Sequence, residues 1–207
     1  MGLTLNTNSL TVASSGGSSS AASGLSTSAA TTLIKNNTPW QYIETITASS
    51  SSTLDLTNSN ISNFDAFYIH FDNINLSTNA QTRMRLYLDS TLQTGGYYRF
   101  TTVSGSNTSN TNGGNSGYDS WIFGGQNYTW MRNITGTMYV NGKVSNIKVL
   151  KSDLSAGNSG NSAVRHNVGG SLTGVGESST ITGFNFFTNS GNYSSGQLHL
   201  YGMNKHG

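Results

Sequence analysis

The chain has 207 residues with a formal charge of +2 at pH 7, and only 9% of them are Asp, Glu, Lys or Arg, against about 25% in an ordinary soluble protein. So few charges, with no Lys/Arg cluster, argue against a nucleic-acid partner, whose phosphates demand a basic face. The absence of cysteine removes disulfides, thiolate metal sites and cysteine nucleophiles, and no run of about 18 or more apolar residues exists for membrane insertion.

Residues 1–35 open on an apolar–polar alternation, Leu3, Leu5, Leu10 and Val12, and run into the low-complexity SSGGSSSAASGLSTSAATT. Such a stretch has too little apolar surface for a core of its own. It reads as an attachment arm, with Leu3, Leu5, Leu10 and Val12 as anchors, ahead of a folded domain over 36–207. From Trp40 onward, strand patterns recur at 40–47, 66–73, 82–89 and 95–102. In the second of these, Phe67, Ile69 and Phe71 alternate with Tyr68, His70 and Asp72. In the third, Met84, Leu86 and Leu88 alternate with Arg83, Arg85, Tyr87 and Asp89, the period of two that gives a strand one buried and one open face.

Residues 103–120, 153–161 and 169–179, rich in small polar side chains, read as long loops. Between the first two, 134–140 joins 144–150 through Asn141-Gly142, a type I′ hairpin signal. Further strand patterns fall at 163–168, 181–187 and 197–201. The closing FNFFTNSGNYSSGQLHLYG reads as a last antiparallel pair around an Asn-Ser-Gly-Asn turn. With no convincing helical period in any window, the fold class is all-β: an antiparallel β-sandwich, with jelly roll the favoured topology and an extended N-terminal arm.

Chemistry is harder to place. The eight acidic residues are scattered singly, so no acid/base pair can be nominated, and a non-enzymatic protein without cofactor is expected. Residues 72–75, Asp-Asn-Ile-Asn, look like the start of a cation loop but lack the later Gly and bidentate Glu, and a strand end is the expected role. His70, His166, His199 and His206 are too dispersed for a metal site and are expected at polar or sheet-edge positions. The aromatic-rich section offers a different function. Tyr118, Asp119, Trp121, Tyr128 and Trp130, with Tyr97 and Tyr98, could stack on a sugar and hydrogen-bond its hydroxyls, or meet a protein partner. Packing of Trp121 and Trp130 in the core is the competing reading.

The segments WQYIETITASSSSTLDL, YIHF, MRLYLDS and the closing HLYG resemble small jelly-roll modules of tailed-bacteriophage structural proteins, over residues 40–201. The resemblance implies a virion component made in the host cytoplasm and displayed on the particle exterior. Because one module follows a short arm, it favours a capsid decoration or cement protein bridging shell subunits, with the major capsid protein as partner and a homotrimer as assembly. A tail or head-fibre receptor-binding module that recognises a host-surface glycan is the alternative it implies.

Overall fold

The computed structural model describes residues 2–6, 9–13, 21–23, 39–106, 110–124, 131–142, 147–158, 163–174 and 177–204. The chain divides into two compact units, residues 1–41 and 42–207. In the first, β1 (Gly2–Asn6), β2 (Ser9–Ala13) and β3 (Ala21–Ser23) form an antiparallel sheet in that order. Its register sets Leu3 opposite Val12 and Leu5 opposite Leu10, so the four apolar arm positions are cross-strand partners.

From Trp40 onward the chain is strand after strand: β4 (Trp40–Thr47), β5 (Thr53–Leu56), β6 (Phe64–Leu76), β7 (Thr82–Leu88), β8 (Thr91–Leu92), β9 (Tyr98–Ser106), β10 (Asn110–Tyr118), β11 (Trp121–Gly124), β12 (Met131–Asn141), β13 (Lys148–Asn158), β14 (Ala163–Leu172), β15 (Ile181–Thr188) and β16 (Tyr193–Asn204). No α-helix occurs among the described residues. The strands make two antiparallel sheets packed as a sandwich. The larger has the order β10-β9-β14-β13-β12-β6-β16-β4, the smaller β11-β7-β15-β5, with β8 on β7. Eight strands pair first with last: β4 with β16, β5 with β15, β6 with β12 and β7 with β11. The pairs β6–β16 and β7–β15 complete the two sheets, and β13, β14, β9 and β10 extend the larger one.

The period-two pattern explains the core. Phe67, Ile69, Phe71, Met138, Val140, Leu198 and Leu200 point inward from the larger sheet and meet Leu54, Leu56, Met84, Leu86, Phe184 and Phe186 from the smaller, all buried. Phe67 crosses Phe184 at 5.1 Å and Phe71 crosses Phe186 at 5.7 Å, both edge to face. Each such side chain contributes roughly 1.5–3 kcal/mol by burial, and edge-to-face pairing adds about 1 kcal/mol.

Four expectations change here. The closing segment is no hairpin: β15 lies in the smaller sheet and β16 in the larger, because Phe184 and Phe186 must face Leu198 and Leu200 across the core. Much of the expected loop sequence is ladder. Residues 110–118 pair with β9, residues 153–157 pair with β14, and 169–172 pair with both β13 and β9, since backbone groups pair whatever small polar side chains they carry. The two-residue turn at Asn141–Gly142 is not formed, for Asn141 is paired in the ladder opposite Val149. Gly142 is instead buried, where a Cβ would meet Ile181 Cδ1 at 2.5 Å. Finally, β6 continues through residues 72–75 as a bulge, with Asn73 at φ 54°. Gly136 and Gly196 face it at φ 140° and 104°, and a Cβ on either would strike the backbone of the adjacent strand.

Candidate functional site

Among the described residues, the aromatic side chains nominated from sequence do not converge on one open surface. Tyr98 and Trp121 are fully buried, which corrects their assignment as glycan contacts. Their rings cross at 4.9 Å. Tyr98 Oη donates to the Gln93 carbonyl and accepts from the Leu86 N–H, each at 3.0 Å, and burial pushes its pKa well above the usual phenol value. Trp121 Nε1 donates to the Arg99 and Ser171 carbonyls, both at 3.2 Å. A strand of the smaller sheet is thereby tied to β9 and β14 of the larger one. Tyr118 is half-buried against Phe100 at 5.5 Å. Tyr97 is exposed, and its carbonyl accepts the Thr173 N–H at 3.1 Å. Tyr128 and Trp130 lie outside the described residues.

Asp119 is held by the smaller sheet. It pairs with Arg85 and, at 3.6 Å, with Arg83, while Ser120 Oγ donates to it at 2.9 Å. Burial pushes its pKa up, but the Ser120 hydroxyl and the two guanidinium groups outweigh this and hold it below the usual carboxylate range. Arg85 also lies 4.3 Å over the Phe187 ring. Asp55 is similarly engaged, accepting from Tyr87 Oη at 3.0 Å and Asn185 Nδ2 at 2.8 Å. These carboxylates brace the outer face of the smaller sheet.

The outer face of the larger sheet is different. Strand register aligns Tyr201, Tyr68, Tyr139, Lys151, Gly169 and Thr101 in one row across β16, β6, β12, β13, β14 and β9. Tyr42 of β4 extends the row, 5.8 Å from the Tyr201 ring, and Tyr201 lies 6.2 Å from Tyr68. Tyr42 and Tyr139 are 59% and 37% exposed. The next row holds His199 and His70, stacked at 5.7 Å, with Thr45 Oγ1 2.8 Å from His199 Nδ1. Beyond Lys151 the row descends into an open groove of about 550 Å³, lined by Arg99, Thr101, Ser116, Val149, Gly169 and Ser171 among others.

Two adjacent glycines show how that groove is made. Gly170 points inward, where a Cβ would come 2.7 Å from Trp121 Nε1 and 3.1 Å from the Arg99 carbonyl. Gly169 points outward, and a Cβ there would meet only Thr101 Oγ1, at an ordinary 3.7 Å. Packing therefore requires the first glycine and not the second, whose bare backbone is the groove floor. Gly170→Ala is expected to cost about 1–3 kcal/mol through overpacking, and Gly169→Ala to stay within about 1 kcal/mol of the native protein. Paired urea denaturation curves check the difference.

Among the histidines, His166 corrects the expectation of a polar or edge position: it is buried on the inner face of β14, and burial pushes its pKa down to about 4. Its neighbour Arg165 faces outward and pairs with Asp153 at 2.7 Å. His206 lies outside the described residues. Among the described residues, no group of three or more His, Asp or Glu side chains is placed to hold a metal ion. The tyrosine–histidine face and the groove escaped the sequence reading, although the alternation Tyr68, His70 and His199, Tyr201 carried half the signal; the other half is the register that brings these strands side by side. No family model, curated protein or solved structure matches the chain.

Proposed function

We propose that the protein is a non-enzymatic surface-binding module of a bacteriophage particle, which recognises a host-surface glycan with the outer face of its larger sheet. One observation carries this: a row of tyrosines runs in register into a groove floored by a glycine that packing does not require. Tyrosine offers a flat apolar face for a sugar ring and a hydroxyl for its polar edge. The first-with-last strand pairing supports reading the sandwich as a jelly roll, an antiparallel ribbon rolled upon itself. That topology and the sequence resemblance to phage modules agree, though fold does not by itself assign a task. The engagement of Asp55, Asp119 and Asp153 with tyrosine, asparagine, serine and arginine side chains supports a scaffold in place of a catalytic pair.

Capsid decoration is the second reading, favoured by the division of the chain into two compact units, the first of which, residues 1–41, would serve for attachment. Particles lacking the protein separate the two. Under the first reading they keep normal resistance to heat and osmotic shock but lose adsorption to host cells. Normal adsorption with premature rupture would replace it with the second.

A further inference from the structure

We propose that the groove between β9, β13 and β14 receives the carboxylate-bearing sugar of an acidic glycan, with Arg99 as the carboxylate's partner; this rests on the reading that the outer face binds a glycan. The groove's volume, about 550 Å³, falls in the range of small-ligand sites, and its open form suits a chain passing across it. Its lining is one guanidinium, the hydroxyls of Thr101, Ser116 and Ser171, the apolar Val149 and Phe100 and a bare glycine floor, with no acidic residue among the described residues. Lys151 stands next to Gly169 in the same register row, which adds a second cation at the rim. The nearest carboxylate along β13, Asp153, is neutralised by Arg165. The groove therefore carries positive charge that a neutral ligand would leave unanswered.

Arg99 is also oriented. Its Nε donates to Thr173 Oγ1 at 3.0 Å, and Thr173 is in turn fixed by its N–H bond to the Tyr97 carbonyl at 3.1 Å. With Nε committed, Nη1 and Nη2 form the edge that takes a planar carboxylate through two parallel hydrogen bonds. The three hydroxyls then meet the sugar's own hydroxyls, and the tyrosine row continues the surface for the sugars that follow. A nucleic acid is not favoured, because one guanidinium and the Lys151 ammonium fall short of the run of cations that its many phosphates draw.

Titration calorimetry on the full chain tests this with two probes of acidic type, tri-galacturonate and sialyllactose, each beside its neutral methyl ester. The acids are expected to bind at least about tenfold more tightly than the esters, the effect of one charge-assisted contact, and to weaken as salt rises. Arg99→Met should remove that preference, and Gly169→Leu should abolish binding by filling the floor. Arg99 is exposed, so its variant keeps the test valid even if Gly169→Leu fails to fold. Equal binding of acid and ester, or unchanged binding by Arg99→Met, would overturn the assignment. Absence of binding by either acid, with particle adsorption still dependent on the protein, overturns this inference alone.

Discussion

Trp121→Ala is expected to destabilise the second unit by about 4 kcal/mol, in the range for deleting a large buried aromatic. The indole fills the seam where β11 meets β9 and β14, and three losses coincide when it goes. A cavity opens beside Tyr98, the edge-to-face contact disappears, and the Arg99 and Ser171 carbonyls lose the Nε1 donor. Both carbonyls belong to residues that line the groove, so the groove should deform with the seam. Urea denaturation measures the loss, and Trp121→Phe separates its parts: it restores most of the volume without the donor and should recover more than half the stability. A loss below about 1 kcal/mol for Trp121→Ala would show that this seam does not hold the extended strands to the sandwich.

Acid should lower the protein's stability in two stages, the first of them set by His166. Its folded pKa of about 4 lies below the usual 6.5 of the unfolded chain, so the unfolded state binds the proton first. Stability is then full above about pH 6.5 and falls as pH drops. By pH 4 the loss reaches about 3 kcal/mol, since each pH unit between the two pKa values costs about 1.4 kcal/mol. Below that, the lowered carboxyl groups of Asp89, Asp119 and Asp153 bring a second loss, since they are ionised in the fold at a pH where the unfolded chain is already protonated. Melting temperatures across pH 3–8 check both stages. His166→Leu should flatten the curve between pH 4 and 6.5 while leaving the decline below pH 4; an unchanged slope in that window would assign it to other groups.

The inner half of this molecule was legible because one-dimensional alternation determines it. Phe67, Ile69 and Phe71, Met84, Leu86 and Leu88, and Leu198 and Leu200 were each readable as one buried face, and each is. Topology was less accessible. Nothing local tells FNFFTNSGNYSSGQLHLYG to cross between sheets instead of folding as a hairpin, because that choice is decided by which inner face each strand must meet. Residues 110–117 and 169–172 hold Thr111 as their one β-branched side chain and no aromatic, where strands are usually rich in both, and backbone pairing with β9 and β13 overrode that composition. The binding face suffered most. Tyr42, Tyr68, Tyr139 and Tyr201 are spread over residues 42–201 and form a row only through register. The more conspicuous cluster around Trp121 drew attention because it was contiguous, and contiguity there reflects a packing seam.

The most direct measurement is binding of the purified protein to host cells before and after the outer face is altered. The variant Tyr42→Ser/Tyr139→Ser changes two of the most exposed side chains of the row and leaves the inner core untouched. Fluorescently labelled native protein should bind saturably, and the double variant, with an unchanged melting temperature, should lose at least about tenfold in affinity, as expected for removal of two aromatic anchors. Native-like cell binding by the folded double variant would contradict the assignment of this face.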